Sequence, residues 1–232
     1  MAVDINTFKT RAGTAIIFAA IMLAGLLWNG WSFILLFTLI HFGCWYEYIK
    51  LIKKIKPLSY QYLVPLGLLY ITMPILMLLY CGFPQTADVL VSRDNISSRY
   101  SPIIPCGIIF SIWINDTMAY IVGSFIGKTP LSKISPKKTW EGTVGGMILC
   151  VITITLIGNA SGYLTWFHWM AISLCCAIAG TLGDLLESKL KRMAGVKDSG
   201  AILPGHGGFL DRFDSLLVAI PFVFVYYFLF IQ

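Results

Sequence analysis

Apolar residues fall in long runs, separated by short polar stretches, and each run is close to the roughly 20 residues a helix needs to cross a bilayer. The pattern predicts seven spans at about residues 13–28, 31–48, 62–80, 103–126, 143–158, 164–185 and 215–231. A tight Trp28-Asn29-Gly30 turn joins the first two. No internal repeat or low-complexity tract is visible. The first apolar run lacks a small-residue cleavage site followed by polar chain, so it is expected to stay as an anchor. The expected fold is an all-α polytopic integral membrane protein, one bundle of about seven transmembrane helices over residues 1–232. Residues 1–101 supply the amino-terminal spans, and 102–232 carry the informative polar motifs.

Composition narrows this further. Of 232 residues, 57% are hydrophobic and only 12% charged, against roughly 25% charged in an ordinary soluble domain. Mean hydropathy is +0.79. A soluble globule, a secreted disulfide scaffold and a disordered chain are all excluded by such a balance. The six cysteines (Cys44, Cys81, Cys106, Cys150, Cys175, Cys176) lie in or beside apolar runs without a CxxC pair. They read as small buried hydrophobes rather than a disulfide or zinc framework.

The net charge of +6 would suit nucleic acid, but its placement points elsewhere. All 17 Lys and Arg except Arg93 and Arg99 precede the first span or follow the second, fourth and sixth. Alternating spans bring them to one face, which the positive-inside rule makes cytoplasmic. No nucleic-acid partner is expected. The chain is expected in the cell (inner) membrane as a multi-pass protein, with its polar loops 127–142 and 186–214 facing the cytoplasm. The opposite loop, 82–101, with Asp88, Arg93, Asp94 and Arg99, reads as a solvated connector.

The acidic residues are few, so their positions matter. Glu47, near the end of the second span, is expected to pair with Lys50. Asp116 lies well inside the fourth span, where a carboxylate is costly unless it faces a polar cavity or a cation. At helical spacing it shares a face with Tyr120, Gly123 and Gly127. A structural aspartate bonded to a neighbouring helix is the plainer alternative. Asp184, Glu187, Ser188 and Lys191 also share one helical face, which by itself could be a solvated surface.

The following segment changes the balance. Gly205, Gly207 and Gly208 precede an expected helix start, and amides at such a place suit an anion. Asp211 and Asp214 can share a face of that helix's first turn, and hard carboxylate oxygens suit magnesium. In the other polar loop, Ser135-Pro136 reads as a helix start that projects Lys137 and Lys138 near the membrane surface. Those lysines serve either attraction to the lipid surface or contact with a substrate's phosphates.

Three stretches carry a resemblance. Ser188-Lys189-Leu190-Lys191-Arg192, Lys197-Asp198, and the run His206-Gly207-Gly208-Phe209-Leu210-Asp211-Arg212-Phe213-Asp214 together resemble the signature of phosphatidate cytidylyltransferases (CDP-diacylglycerol synthases) without departure. Asp116 to Tyr120 and Ser135 to Gly142 are also similar to that family. The likeness covers the chain from about residue 105 onward, and the chain is shorter than many members. It implies a nucleotidyltransferase of phospholipid biosynthesis that transfers the CMP moiety of CTP to phosphatidate, giving CDP-diacylglycerol and pyrophosphate. Residues 102–232 would then be the catalytic half, with the active-site loops at the cytoplasmic surface.

On this resemblance, Asp184 and Asp211 are the expected metal ligands for Mg2+, with a second cation left open. Asp214 is a third ligand or a carboxylate behind the first two, and Asp116 completes the polar cavity. Lys137, Lys138, Lys191, Arg192, Lys197 and Arg212 are expected at phosphates. His206 contacts a phosphate or shapes the loop of Gly207 and Gly208, and Ser188 is a binding hydroxyl rather than a nucleophile. Expected partners are CTP, phosphatidate, membrane lipid and, from the resemblance alone, a second copy in a homodimer. A CTP-dependent polyprenol or phytol kinase and a transporter remain alternatives, whereas the spaced pattern of a CDP-alcohol phosphotransferase is absent.

Overall fold

The computed structural model describes residues 5–84, 99–202 and 207–232, with side chains from residue 12 onward. Among these residues the chain forms seven long helices: α1 (Ile5–Leu27), α2 (Gly30–Ile55), α3 (Tyr60–Cys81), α4 (Ile103–Ile126), α5 (Trp140–Ala160), α6 (Trp166–Met193) and α7 (Leu210–Phe230). Helices α2 to α7 are each long and apolar enough to cross a membrane, while the apolar stretch described in α1, Ala12–Leu27, is shorter. Large apolar side chains face outward along the bundle, among them Leu35, Leu39 and Phe42 on α2 and Ile148, Ile152 and Leu156 on α5. Water does not support so continuous an apolar cover. Helices also satisfy their own backbone hydrogen bonds, as a lipid environment requires. The chain is a multi-pass α-helical membrane protein, in agreement with the hydropathy pattern.

Local sequence explains the helix ends. Asn29 caps α2 by accepting the Ser32 N–H at 2.9 Å, and Ser32 Oγ accepts the Asn29 N–H at 3.1 Å. This reciprocal pair makes the tight turn expected after Trp28. Helix α3 is less regular: Leu68–Thr72 winds as a π-turn just before Pro74. Proline offers no N–H to the preceding turn, and the widened turn absorbs that loss. It also aims Thr72 at α2, where its Oγ1 accepts from Trp45 Nε1 at 2.9 Å and meets His41 Nε2 at 3.0 Å.

Small residues bring the helices of the second half into close contact. A Cβ on Gly146 would stand 2.6 Å from the Ala119 backbone nitrogen, and one on Gly142 would stand 2.7 Å from the Ala119 carbonyl oxygen. This α4–α5 seam is the close backbone approach that small residues at four-residue spacing allow. Gly183 does the same between α6 and α7, where a Cβ would lie 2.5 Å from the Asp214 carbonyl oxygen. Trp169 on α6 fills the space left by Gly107 of α4 and Gly158 of α5, fixing the three helices at the end away from the charged loops. Helix α7 runs through the core, with Leu210, Phe213, Leu217, Ile220 and Val223 buried. All six cysteines are free thiols, four of them buried, as expected of small apolar side chains.

Two expectations change. Helices α2 and α6 extend past the apolar layer, to Ile55 and Met193. Their added turns carry Lys53 and Lys54, or Lys191 and Arg192, which suit the negative end of a helix dipole. Ser135-Pro136 does not start a helix. The connector instead folds back on itself, with Leu131 N–H donating to the Lys138 carbonyl (2.7 Å) and Trp140 N–H to that of Thr129 (2.9 Å). That pairing delays α5 until Trp140, where Thr139 caps it by accepting the Gly142 N–H at 3.2 Å.

Candidate active site

A cavity of about 540 Å³ opens at the charged end of the bundle, between α4, the 127–139 connector, α6 and α7. Helix α4 lines it with Asp116, Tyr120 and Gly123, so the face expected from their spacing does border a polar space. Asp116 is open to the cavity rather than sealed against a neighbouring helix. Beside it, Asn115 is buried and its Oδ1 accepts no hydrogen bond. The connector supplies Lys137 and Lys138, and α6 and α7 supply Asp184, Asp211 and Asp214. The Glu141 carboxylate steadies the connector by accepting the backbone N–H groups of Lys128 and Thr129, each at 3.1 Å.

Three carboxylates meet beneath this cavity. Asp184, Glu187 and Asp214 each place an oxygen within 4.8 Å of the others. Glu187 is 0% exposed and Asp214 6% exposed. Like charges this close in a low-dielectric site repel unless cations compensate. Lys138 ion-pairs with Asp184, and Lys191 stands 2.5 Å from Glu187 Oε2. Those lysines hold Asp184 Oδ2 and Glu187 Oε2, and the buried Glu187 Oε1 accepts no hydrogen bond. Hard, converging carboxylate oxygens, one of them unpartnered, are the donor set that a divalent cation such as magnesium takes, so the residues fit that group.

Asp211, expected as the second metal ligand, is used differently from Asp184. Its Oδ1 lies 2.6 Å from Lys191 Nζ, while Oδ2 accepts from Ser199 N–H (2.9 Å) and Gly208 N–H (2.8 Å) and lies 2.8 Å from Ser199 Oγ. Gly207 has φ +81°, and a Cβ there would stand 2.5 Å from Asp211 Oδ2. The glycines therefore let the loop wrap around the aspartate. The third member of the carboxylate group is instead Glu187, whose only sequence signal was its place three residues after Asp184 on one helical face.

The amides at the start of α7 are also already taken. Glu47 of α2 accepts the N–H groups of Phe209 (3.0 Å) and Leu210 (2.8 Å) and lies 2.7 Å from Ser199 Oγ. The anion at this helix start is thus one of the chain's own carboxylates, and the Gly208 amide points to Asp211. The Gly208 amide, expected near a phosphate, is thus bonded within the chain. The expected surface pairing of Glu47 with Lys50 is corrected too, since Glu47 is 1% exposed and Lys50 is exposed.

The remaining expected residues are spread more widely. Lys137 is exposed at the cavity edge, and Lys138 and Lys191 are engaged with carboxylates. Arg192 and Lys197 are exposed, with Arg192 Nη1 3.4 Å from the Val196 carbonyl. Ser188 is half-buried on α6, outside the residues that line the cavity. Arg212 is exposed at the start of α7. His206 lies outside the described residues, as do Asp88, Arg93 and Asp94 of the opposite loop.

Fold and site together define a class: a multi-pass helical membrane protein with a lysine-rimmed, carboxylate-floored cavity at one end of its bundle. Residues 101–230, more than half of the chain, match the cytidylyltransferase family. The chain belongs to that family. It is similar to the phosphatidate cytidylyltransferase of Bacillus subtilis, with 46% identity over 115 residues, 49% of this chain and 43% of that protein. A Synechocystis phosphatidate cytidylyltransferase is 48% identical over 124 residues, 50% of this chain and 40% of the relative. Phosphatidate cytidylyltransferase 4, chloroplastic, of Arabidopsis thaliana is 50% identical over 107 residues, 44% of this chain and 26% of the relative. The matches span less than half the length of each of these relatives.

Proposed function

We propose that this protein transfers the CMP moiety of CTP to phosphatidate, giving CDP-diacylglycerol and pyrophosphate in phospholipid biosynthesis. The observation that carries the reading is the convergence of Asp184, Glu187 and Asp214 beside Lys138 and Lys191, at the mouth of a membrane bundle. Family membership and the names of the similar proteins support it. A phosphatidate oxygen attacks the α-phosphorus of CTP, a new P–O bond forms, and the bond to the β-phosphate breaks as pyrophosphate leaves. Both reactants are anions, so positioning and charge neutralisation make up most of the catalysis.

Asp184, Glu187 and Asp214 would hold magnesium, which neutralises phosphate charge when bound. Asp211 acts as the organiser of the loop that leads into α7. Lys137 and Lys138 bring cations to the cavity edge, where they offset triphosphate charge, and Arg192, Lys197 and Arg212 add positive potential around that face. Lys191 keeps Glu187 and Asp211 together. Asp116, Asn115 and Tyr120 give the α4 wall polar groups for a nucleotide or a lipid headgroup.

One substrate is a lipid and the other is soluble, so the reaction belongs at a membrane surface. Basic-residue asymmetry supports a cytoplasmic orientation of the cavity in the cell membrane, with residues 102–232 as the catalytic half. A homodimer in membrane lipid is the working assembly we propose. The deciding experiment incubates purified protein with phosphatidate, labelled CTP and magnesium. Pyrophosphate release together with a chloroform-soluble nucleotide is the expected result. Formation of CDP and a phosphorylated alcohol would make the protein a lipid kinase instead.

A further inference from the structure

Glu47 lies on α2, well before the 101–230 segment that matches the family, yet it is among the most deeply buried charged groups in the molecule. An isolated carboxylate in such a place is strongly disfavoured unless hydrogen-bond donors surround it. Three do: the Ser199 hydroxyl and the Phe209 and Leu210 amides, all within 3.0 Å. A Cβ on either Gly200 or Gly208 would run into the Glu47 carboxylate, so the loop is shaped around it from both sides. Gly43, one turn earlier on α2, makes room for the Phe209 ring in the same way.

The contacts continue into the cavity. The Ser199 hydroxyl is 2.7 Å from Glu47 and 2.8 Å from Asp211, and Asp211 is 2.6 Å from Lys191. Lys191 in turn is 2.5 Å from Glu187 of the carboxylate cluster. Ser199 has a single hydroxyl proton for two carboxylates, so its hydroxyl serves Glu47 while its backbone N–H donates to Asp211 at 2.9 Å, and the remaining links are the two Lys191 ion pairs.

We propose that Glu47 is a positioning residue of the site: it substitutes for a bound anion at the start of α7 and sets the Ser199–Asp211–Lys191 chain that places Glu187. The catalytic part of the proposal rests on the function proposed above. Its structural part, the clamp on α7, does not. A carboxylate with two acceptor oxygens is needed, because the amide of glutamine would turn an N–H toward a backbone N–H, and aspartate is too short to reach both amides.

The test uses the full chain in detergent and compares wild type with Glu47→Gln, Glu47→Asp and Ser199→Ala, each scored per folded molecule by its monodisperse fraction. Hydrogen exchange at Phe209 and Leu210 is expected to be at least about tenfold faster in Glu47→Gln, with the α4–α5 seam unchanged. Turnover per folded molecule is expected to fall about 10- to 100-fold in Glu47→Gln, with KM for CTP changing far less. The double variant Glu47→Gln/Ser199→Ala is expected to be little worse than Glu47→Gln alone. Unchanged exchange at Phe209 and Leu210 overturns the clamp. Wild-type kcat in folded Glu47→Gln, with only the folded fraction reduced, overturns the positioning role and leaves a structural one. If Glu47→Gln yields no folded protein, Ser199→Ala decides, since full activity and unchanged exchange there would break the chain of contacts. Wild-type protein inactive on CTP and phosphatidate counts against the proposed function, and the exchange result then judges Glu47 by itself.

Discussion

Lys138 of the connector and Asp184 of α6 form an ion pair at the edge of the cavity. The pair joins a loop held by Glu141 to a helix that carries two of the three clustered carboxylates, so it sets how far the lysine can reach. Lys138→Ala is expected to lower kcat/KM for CTP about 10- to 100-fold, and Asp184→Asn to lower it further. Steady-state kinetics with folded protein checks both. Activity within about twofold of wild type in Lys138→Ala would remove that lysine from the site.

The carboxylate cluster makes a prediction that needs no turnover. Magnesium at about 100 times its Kd stabilises a folded site by about 2.7 kcal/mol. A rise in the thermal midpoint with magnesium, reversed by a chelator, is expected for the wild type. It should vanish in Glu187→Gln. A shift that survives this substitution would place the ion elsewhere.

Asp211 is expected to matter for stability as well as for activity. Asp211→Asn leaves a donor facing Lys191 or the Ser199 and Gly208 amides, at a cost of about 1–3 kcal/mol. Lys191→Met removes the same ion pair, so the double variant should be less destabilised than the sum of the singles. Strict additivity in denaturation midpoints would show that the two do not act together.

The α4–α5 seam predicts a packing effect. Gly146→Ala places a methyl against the Ala119 backbone, which cannot swing aside, and is expected to cost about 1–3 kcal/mol. Gly13 has nothing within 4 Å of its Cβ position, so Gly13→Ala is expected to be neutral or slightly stabilising. Thermal unfolding in the same detergent compares the two. Equal midpoints would refute the seam.

Much of the fold was legible because lipid demands long apolar helices, and α4 begins and ends where hydropathy places it. The extra turns of α2 and α6 were not, since hydropathy falls once a helix leaves the apolar layer even though the helix continues. Ser135-Pro136 failed as a start signal because backbone pairing between 129–131 and 138–140 outweighed a local preference. For the site, helical spacing correctly brought Asp184 and Glu187 to one face and aimed Asp116 at a cavity. Spacing does not reveal which oxygen is already bonded. Asp211 looks like Asp214 along the chain, and only the fold shows Ser199, Gly208 and Lys191 closing on it. Glu47 was hidden for a related reason: Lys50 is three residues away, and the real partners are 152 to 163 residues away.

That separation has a bearing on biogenesis. The chain is made from its amino terminus, so α2 and Glu47 are complete long before Ser199, Phe209 and Leu210 exist. While α3 to α6 are being made, this acid lacks the donors that later enclose it. Those donors come only with the segment from Ser199 to the start of α7. Closure around Glu47 therefore waits for α7, and a nascent bundle stopped before that helix carries an unfinished site.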